Sequence, residues 1–386
     1  MDIVSIGPVA GGPVELQREM SAVASRLSGQ KLAFLYLPID ADHDAYLRAA
    51  EEALGGPVVG ATTGGAAFTE RGWTKSKPVA AVIGGIDVAF EIGVATGLGD
   101  NLGASIATGV RPVVEAARAY ASRSHALVVL ADAFACDGEA LLSAVADATP
   151  PHWRLFGGTA GDDWTFTGTK VFAQGEVVQG AAVMVGVFSD APPSLATRHG
   201  WCAAEGGNEL TVTGIEGNRL LTLNGEPAAR VYRAELERLG FWKEGEELMP
   251  VMAKYELGAK TVFGNELKIR APLGVDDDGS VLLASTLPRG TLVRVVTADP
   301  DQLIAAATEL SARALEPLAG AAIRGALVFD CAARLQLLGS RYGDEVSAFL
   351  GGRNFPMVGM ACYGEIARFG GSIEGFHNTT AVMAAW

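Results

Sequence analysis

One phrase recurs three times along this 386-residue chain: an apolar run closing on glycine, a short polar loop, then a second apolar run. It reads Pro57-Val58-Val59-Gly60, Ala61-Thr62-Thr63-Gly64-Gly65, then Val79 to Gly84. It returns as Leu155-Phe156-Gly157-Gly158, Thr159-Ala160-Gly161-Asp162-Asp163, then Ala181 to Gly186. The third copy runs from Pro356-Met357-Val358-Gly359 through Met360-Ala361-Cys362-Tyr363-Gly364-Glu365 to Thr380 and Ala385. Recurrence at this scale means that one structural unit is reused, which excludes most single-motif folds before any residue is considered.

The elements around the phrases read as alternating strands and helices. Lys31 to Ile39 is a buried strand; Asp42 caps a helix over His43 to Leu54. Strands at Ile86 to Ala95 and His125 to Leu130 alternate with a helix capped by Asp100-Asn101 and a helix over Gly138 to Ala148. The C-terminal part repeats the order, with Thr291 to Thr297 as strand, Asp299-Pro300 opening a helix, Ala322 to Phe329 as strand and a helix over Arg341 to Leu350. Between these halves, Ala191 to Ser285 shows short alternating runs that read as antiparallel strands, with one helix near Ala228 to Leu239. The expectation is an α/β (mixed α+β) fold: helices covering mixed, largely antiparallel sheets, with internal pseudo-repeats in two layered domains, residues 1–220 and 221–386.

Composition narrows the function classes. A formal charge of -14 opposes nucleic acid and anionic membrane surfaces, both of which require basic patches. The four cysteines form no CxxC pair, which argues against structural zinc and a disulfide framework. The first residues lack a signal-peptide pattern and no apolar run is long enough to span a bilayer, so a cytoplasmic protein without membrane contact is expected.

The third phrase, with Tyr363-Gly364-Glu365-Ile366, His377-Asn378-Thr379-Thr380 and Cys331-Ala332-Ala333-Arg334, resembles the C-terminal half of the FIST domain family. Val59 to Gly65 and Phe156 to Asp162 resemble the glycine loops of its N-terminal half, so the likeness extends from about Lys31 to Trp386. The resemblance implies a bacterial intracellular sensory module that binds a small ligand such as an amino acid. One branch of the family is described as a haem-binding nitric-oxide sensor. With no output domain after Trp386, signalling is expected to pass to a separate protein such as a histidine kinase or cyclase system. The first loop departs from the third: Gly65-Ala66-Ala67 stands where the third has an acid, so it supplies no carboxylate.

Small polar residues after a strand-terminal glycine present N–H groups and hydroxyls at the carboxyl end of a sheet, where ligand crevices form. Thr62, Thr63, Gly64, Asp162, Asp163, Tyr363, Gly364, Glu365 and Asn378 are the candidates for ligand contact, with Arg334 to hold a carboxylate. The competing reading makes the loops tight turns and pairs Arg334 with Asp330 or Glu365. No metal site or catalytic set is expected. A haem would need one of His43, His125, His152, His199 or His377, of which His199 is favoured. An enzyme using Glu365 or Asp162 as base with Tyr363 or Cys331 beside the substrate is the weaker alternative to a binding protein, because no triad or phosphate loop accompanies them.

Overall fold

The computed structural model describes residues 1–121, 123–261, 266–369 and 375–386. Its main body is one unit used three times. The first unit is β1 (Asp2–Ile6), α1 (Gly12–Ala24), β2 (Gln30–Leu37), α2 (His43–Leu54), β3 (Val58–Thr62), the hairpin β4 (Ala67–Thr69) and β5 (Gly72–Thr74), and β6 (Val79–Gly85). The second repeats this as β7 (Val88–Thr96), α3 (Leu102–Ala116), β8 (Ser124–Ala131), α4 (Gly138–Ala148), β9 (Arg154–Thr159), the hairpin β10 (Val171–Ala173) and β11 (Glu176–Val178), and β12 (Ala181–Ser189).

The third unit opens with β13 (Ser194–Arg198) and is then interrupted. The insert comprises β14 (Cys202–Ala203), β15 (Leu210–Glu216), β16 (Arg219–Leu223), β17 (Glu226–Pro227), α5 (Ala228–Arg238), α6 (Met249–Met252), β18 (Tyr255–Lys260), β19 (Leu267–Arg270), β20 (Pro272–Val275), β21 (Val281–Leu283) and β22 (Leu292–Thr297). The unit resumes with α7 (Pro300–Leu315), β23 (Ala326–Cys331), α8 (Ala332–Leu338), α9 (Tyr342–Ala348), β24 (Met357–Cys362), the hairpin β25 (Glu365–Arg368) and β26 (Gly375–His377), and β27 (Ala381–Ala385).

Each unit builds a sheet of the same plan. In the first sheet β6 lies antiparallel to β2, β2 parallel to β3, and β1 covers the β6 edge. The other two repeat it as β7-β12-β8-β9 and β13-β27-β23-β24. The hairpins are exchanged in a ring. The first unit's β4 pairs with β24 of the third, the third's β25 with β9 of the second, and the second's β10 with β3 of the first. Every sheet thus carries its neighbour's hairpin, and no unit can complete its sheet alone.

The three sheets enclose a shared core that includes Phe34, Tyr36, Leu130, Phe156, Phe329 and Met360, and Phe329 meets Tyr36 edge-on and Phe156 at a tilt. Helices cover the outer faces. Strand stretches buried on both faces must be apolar at every position, which is why β2 from Leu32 onward and β12 up to Phe188 read as continuous hydrophobic runs. The helix caps follow the sequence: Asp42 accepts from the Ala45 N–H, and Asp299 with Gln302 forms a capping box.

The mixed α+β class with pseudo-repeats holds. The strand at Thr291–Thr297 does not play its expected part, since β22 pairs with β18 and β15 inside the nine-stranded insert sheet. The counterpart of β7 is β13, a hundred residues before α7, because the insert separates a strand from its helix. The division expected at 220/221 falls within β16.

Candidate functional site

The three glycine loops meet where the three sheets converge. The Gly161 N–H donates to the Thr62 carbonyl (2.9 Å), the Gly64 N–H to the Ala361 carbonyl (2.7 Å) and the Tyr363 N–H to the Thr159 carbonyl (3.2 Å). Donors and acceptors occupy equivalent positions in the three phrases, so the bonds form a closed ring that ties each unit to the next. A Cβ on Gly161 would lie 2.4 Å from the Gly64 Cα, which is why the loops need glycine there.

The sequence-expected residues divide accordingly. Thr62 exchanges hydrogen bonds with the Lys170 backbone, and Thr63 is buried. Asp162 is buried and takes the Tyr363 hydroxyl on Oδ1 (2.7 Å) and the N–H groups of Thr167 (2.8 Å) and Gly168 (3.1 Å) on Oδ2. Burial raises its pKa, but the Tyr363 hydroxyl and those N–H groups outweigh it and hold the carboxyl below its ordinary value. Asp163 is exposed and lines a separate shallow groove with Trp73 and Lys75. Arg334 is fully buried. Its Nε contacts Glu345 and Asp330, and its terminal nitrogens bond Glu345 and the carbonyls of His199, Thr379 and Leu303. Every guanidinium N–H is occupied, so no ligand carboxylate is held by Arg334.

A cavity of about 480 Å³ opens beside the ring, between the repeat core and the inserted sheet. Thr159, Cys331, Asn378 and Thr379 from strand ends line it, with Phe134, Trp164, Phe166 and Tyr363 packed against one another on one wall. The insert contributes Asn218, Ala271, Leu273 and Ala284. Of the sequence-expected residues, Tyr363 and Asn378 reach this cavity. Thr159 and the four rings follow from the phrase's own loops, but their convergence with the insert has no local signal.

Two features mark the cavity as built for contact. Asn378 Oδ1 and Thr159 Oγ1 are buried with no hydrogen-bond partner, although buried polar atoms are seldom left unpaired. Trp164, Phe166 and Thr379 hold left-handed backbone conformations without being glycine, and such strain concentrates at binding loops.

Behind the wall lies a layer of acids and thiols. Glu365 accepts from the Thr380 N–H (3.1 Å) and the Cys362 thiol (3.4 Å), and burial pushes its pKa up to about 8. Glu256 accepts the Thr379 hydroxyl (2.9 Å) and is raised by burial as well. Burial pushes the Cys331 thiol up, away from the thiolate a nucleophile needs. Among the described lining residues there is no imidazole, and His43 and His125 bond backbone carbonyls elsewhere. His199 Nδ1 accepts the Trp201 N–H, and burial with Arg198 and Arg334 lowers its pKa to about 4. The cavity residues do not fit a histidine-held haem. No cluster of His, Cys, Asp and Glu among the described residues could hold a metal ion, and none of the described helices is long and apolar enough to cross a membrane.

No curated protein matches the chain. Family models match it almost throughout: the FIST N domain over residues 31–226 and the FIST C domain over residues 228–368. FIST domains are associated with sensing in signal transduction. The two matches meet inside the insert, at the β17 to α5 junction, and together place the triple repeat and its inserted sheet within one family: the chain belongs to the FIST domain family.

Proposed function

We propose that this protein is a sensor that binds a small polar metabolite in the cavity between the repeat core and the inserted sheet, and passes the resulting change to a separate signalling protein such as a histidine kinase or cyclase. The observation that carries this reading is the cavity itself, which Thr159, Tyr363 and Asn378 of the core line together with Asn218 and Leu273 of the insert. A ligand that touches both sets of residues bridges core and insert. Binding then favours one arrangement of the two over another, which is the physical requirement for a signal. Thermal-shift screening against a metabolite panel tests the reading. Stabilisation by a ligand, abolished in Asn378→Leu and Thr159→Val, supports it; no shift from any compound well above a plausible Kd counts against it.

A hydrolytic or transfer reading rests on the Glu365 carboxyl lying behind Cys331, a residue that lines the cavity. It predicts that iodoacetamide labels Cys331 faster than the exposed Cys202. Slower labelling of Cys331 removes it.

A further inference from the structure

A second pocket lies at the other end of the second sheet. Thr159, the last residue of β9, lines the cavity described above, whereas Arg154, the first, lines a separate pocket of about 360 Å³. Ser124 and His125 at the start of β8 share that pocket with Arg123, His152 and Pro192. The chain carries 44 acids against 30 lysines and arginines, yet no Asp or Glu is among the described residues lining this pocket. Two guanidiniums and two imidazoles stand there instead, so the pocket is cationic on a chain of formal charge -14.

The repeat shows that Arg154 is not required by the sheet. Gly60, Gly157 and Gly359 face Leu35, Val129 and Val328 in register, which makes Pro57, Arg154 and Pro356 equivalent positions. Proline serves in the other two units because only its carbonyl is used, accepting the Ala33 and Ala326 N–H groups. Arg154 is half-buried, and one terminal nitrogen, Nη1, donates to the Pro193 carbonyl. Its Nε and Nη2 bond no described residue. These two form one edge of the guanidinium, the edge that holds two oxygens of one anion in parallel.

The surrounding groups are fixed. Arg123 pairs through Nε with the exposed Asp190 at 3.5 Å, donates to the carbonyls of Phe188 and Ile86, and lies over the Tyr120 ring. It adds charge, partly offset by Asp190, rather than free donors. His125 bonds the Tyr120 carbonyl through Nε2 at 3.1 Å and stacks on Trp153. His152 meets the His125 ring edge-on, with centroids 6.1 Å apart; it is exposed and bonds no described residue. The free donors of the pocket therefore belong to Arg154 and His152.

We propose that this pocket is a second ligand site, one that takes the phosphate group of a small phosphorylated molecule. Arg154 holds two of its oxygens through Nε and Nη2, and His152 donates to a third. A carboxylate has only two oxygens, both used by the Arg154 edge, so it leaves His152 without a partner and brings half the charge. A guanidinium edge suits this task better than an ammonium, which offers no parallel pair of donors. The site goes beyond the cavity and does not depend on the sensor reading.

Phosphorus NMR titration of inorganic phosphate against the full chain, at constant ionic strength, tests the site. The expected result is saturable binding that weakens at least about tenfold in Arg154→Gln and recovers little in Arg154→Lys, which keeps the charge but loses the paired donors. His152→Asn, at an exposed position without a described partner, should weaken phosphate several-fold with an unchanged unfolding midpoint. Acetate should displace phosphate only at a large excess. Absence of saturable binding overturns the inference, as does binding that neither Arg154→Gln nor His152→Asn alters. Displacement by an equal concentration of acetate overturns the choice of phosphate. None of these outcomes touches the sensor reading, which the cavity variants Asn378→Leu and Thr159→Val test.

Discussion

The Tyr363 hydroxyl donates to the Asp162 carboxylate at 2.7 Å, while accepting the Trp164 N–H at 2.6 Å. This joins the third glycine loop to the second and shapes the segment that carries Trp164 and Phe166 to the cavity wall. Tyr363→Phe leaves a buried carboxylate oxygen without its donor and should cost about 1–3 kcal/mol in urea unfolding. Asp162→Ala also releases the Thr167 and Gly168 N–H groups and should cost more. A double-mutant cycle of the two should show coupling, whereas additivity would mean that the bond contributes nothing.

Gly161→Ala should be severe without any unusual backbone angle, because the new Cβ meets Gly64 backbone at 2.4 Å and the ring of three bonds cannot widen on one side alone. Gly103→Ala is the matched control. Its Cβ would meet nothing within 4 Å on exposed α3, so helix propensity predicts a gain of up to about 1 kcal/mol. Thermal melts of the two variants should move in opposite directions.

Arg334→Met strips the guanidinium from two buried carboxyls and should cost about 3–5 kcal/mol. Arg334→Lys should recover little, since an ammonium cannot serve the carbonyls of His199, Thr379 and Leu303 along with Glu345. Denaturant midpoints of both variants check this. A wild-type midpoint for either would show that the pair is balanced by its desolvation cost.

Glu365 sets a pH dependence. Its folded pKa, pushed up to about 8 mainly by burial, lies above the ordinary carboxyl value of 4.5, so the folded state keeps a proton that the unfolded chain releases. Stability from this group is complete below that ordinary value and is lost as pH rises towards about 8. Glu256, raised in the same direction, adds to the slope. The melting temperature should therefore fall between acidic and mildly alkaline pH, and Glu365→Gln should flatten the fall. An unchanged slope in that variant would reassign the effect.

The glycine loops, the boundaries of α2 and α4 and the capping of α7 were legible because each rests on residues a few positions apart. The first half of the site was legible for the same reason: Tyr363 and Asn378 lie on or beside the third phrase and reach the cavity. The pairing of Arg334 with Asp330, four residues before it, was one of the two readings the sequence left open, but its neighbourhood does not show that Glu345 and three distant carbonyls close around it as well. β22 was misassigned to the repeat because a short alternating strand carries no mark of the sheet it joins.

The sequence by itself determined that a unit recurs and where its strands, helices and turns begin, since periodicity, caps and glycine punctuation act within a few residues. Only the tertiary structure decided that the units trade hairpins in a ring and that an inserted sheet closes the cavity. Those pairings join residues a hundred or more positions apart, such as Gly364 with Thr159 and Lys170 with Thr62, and are set by which edges remain unpaired once each local unit has formed.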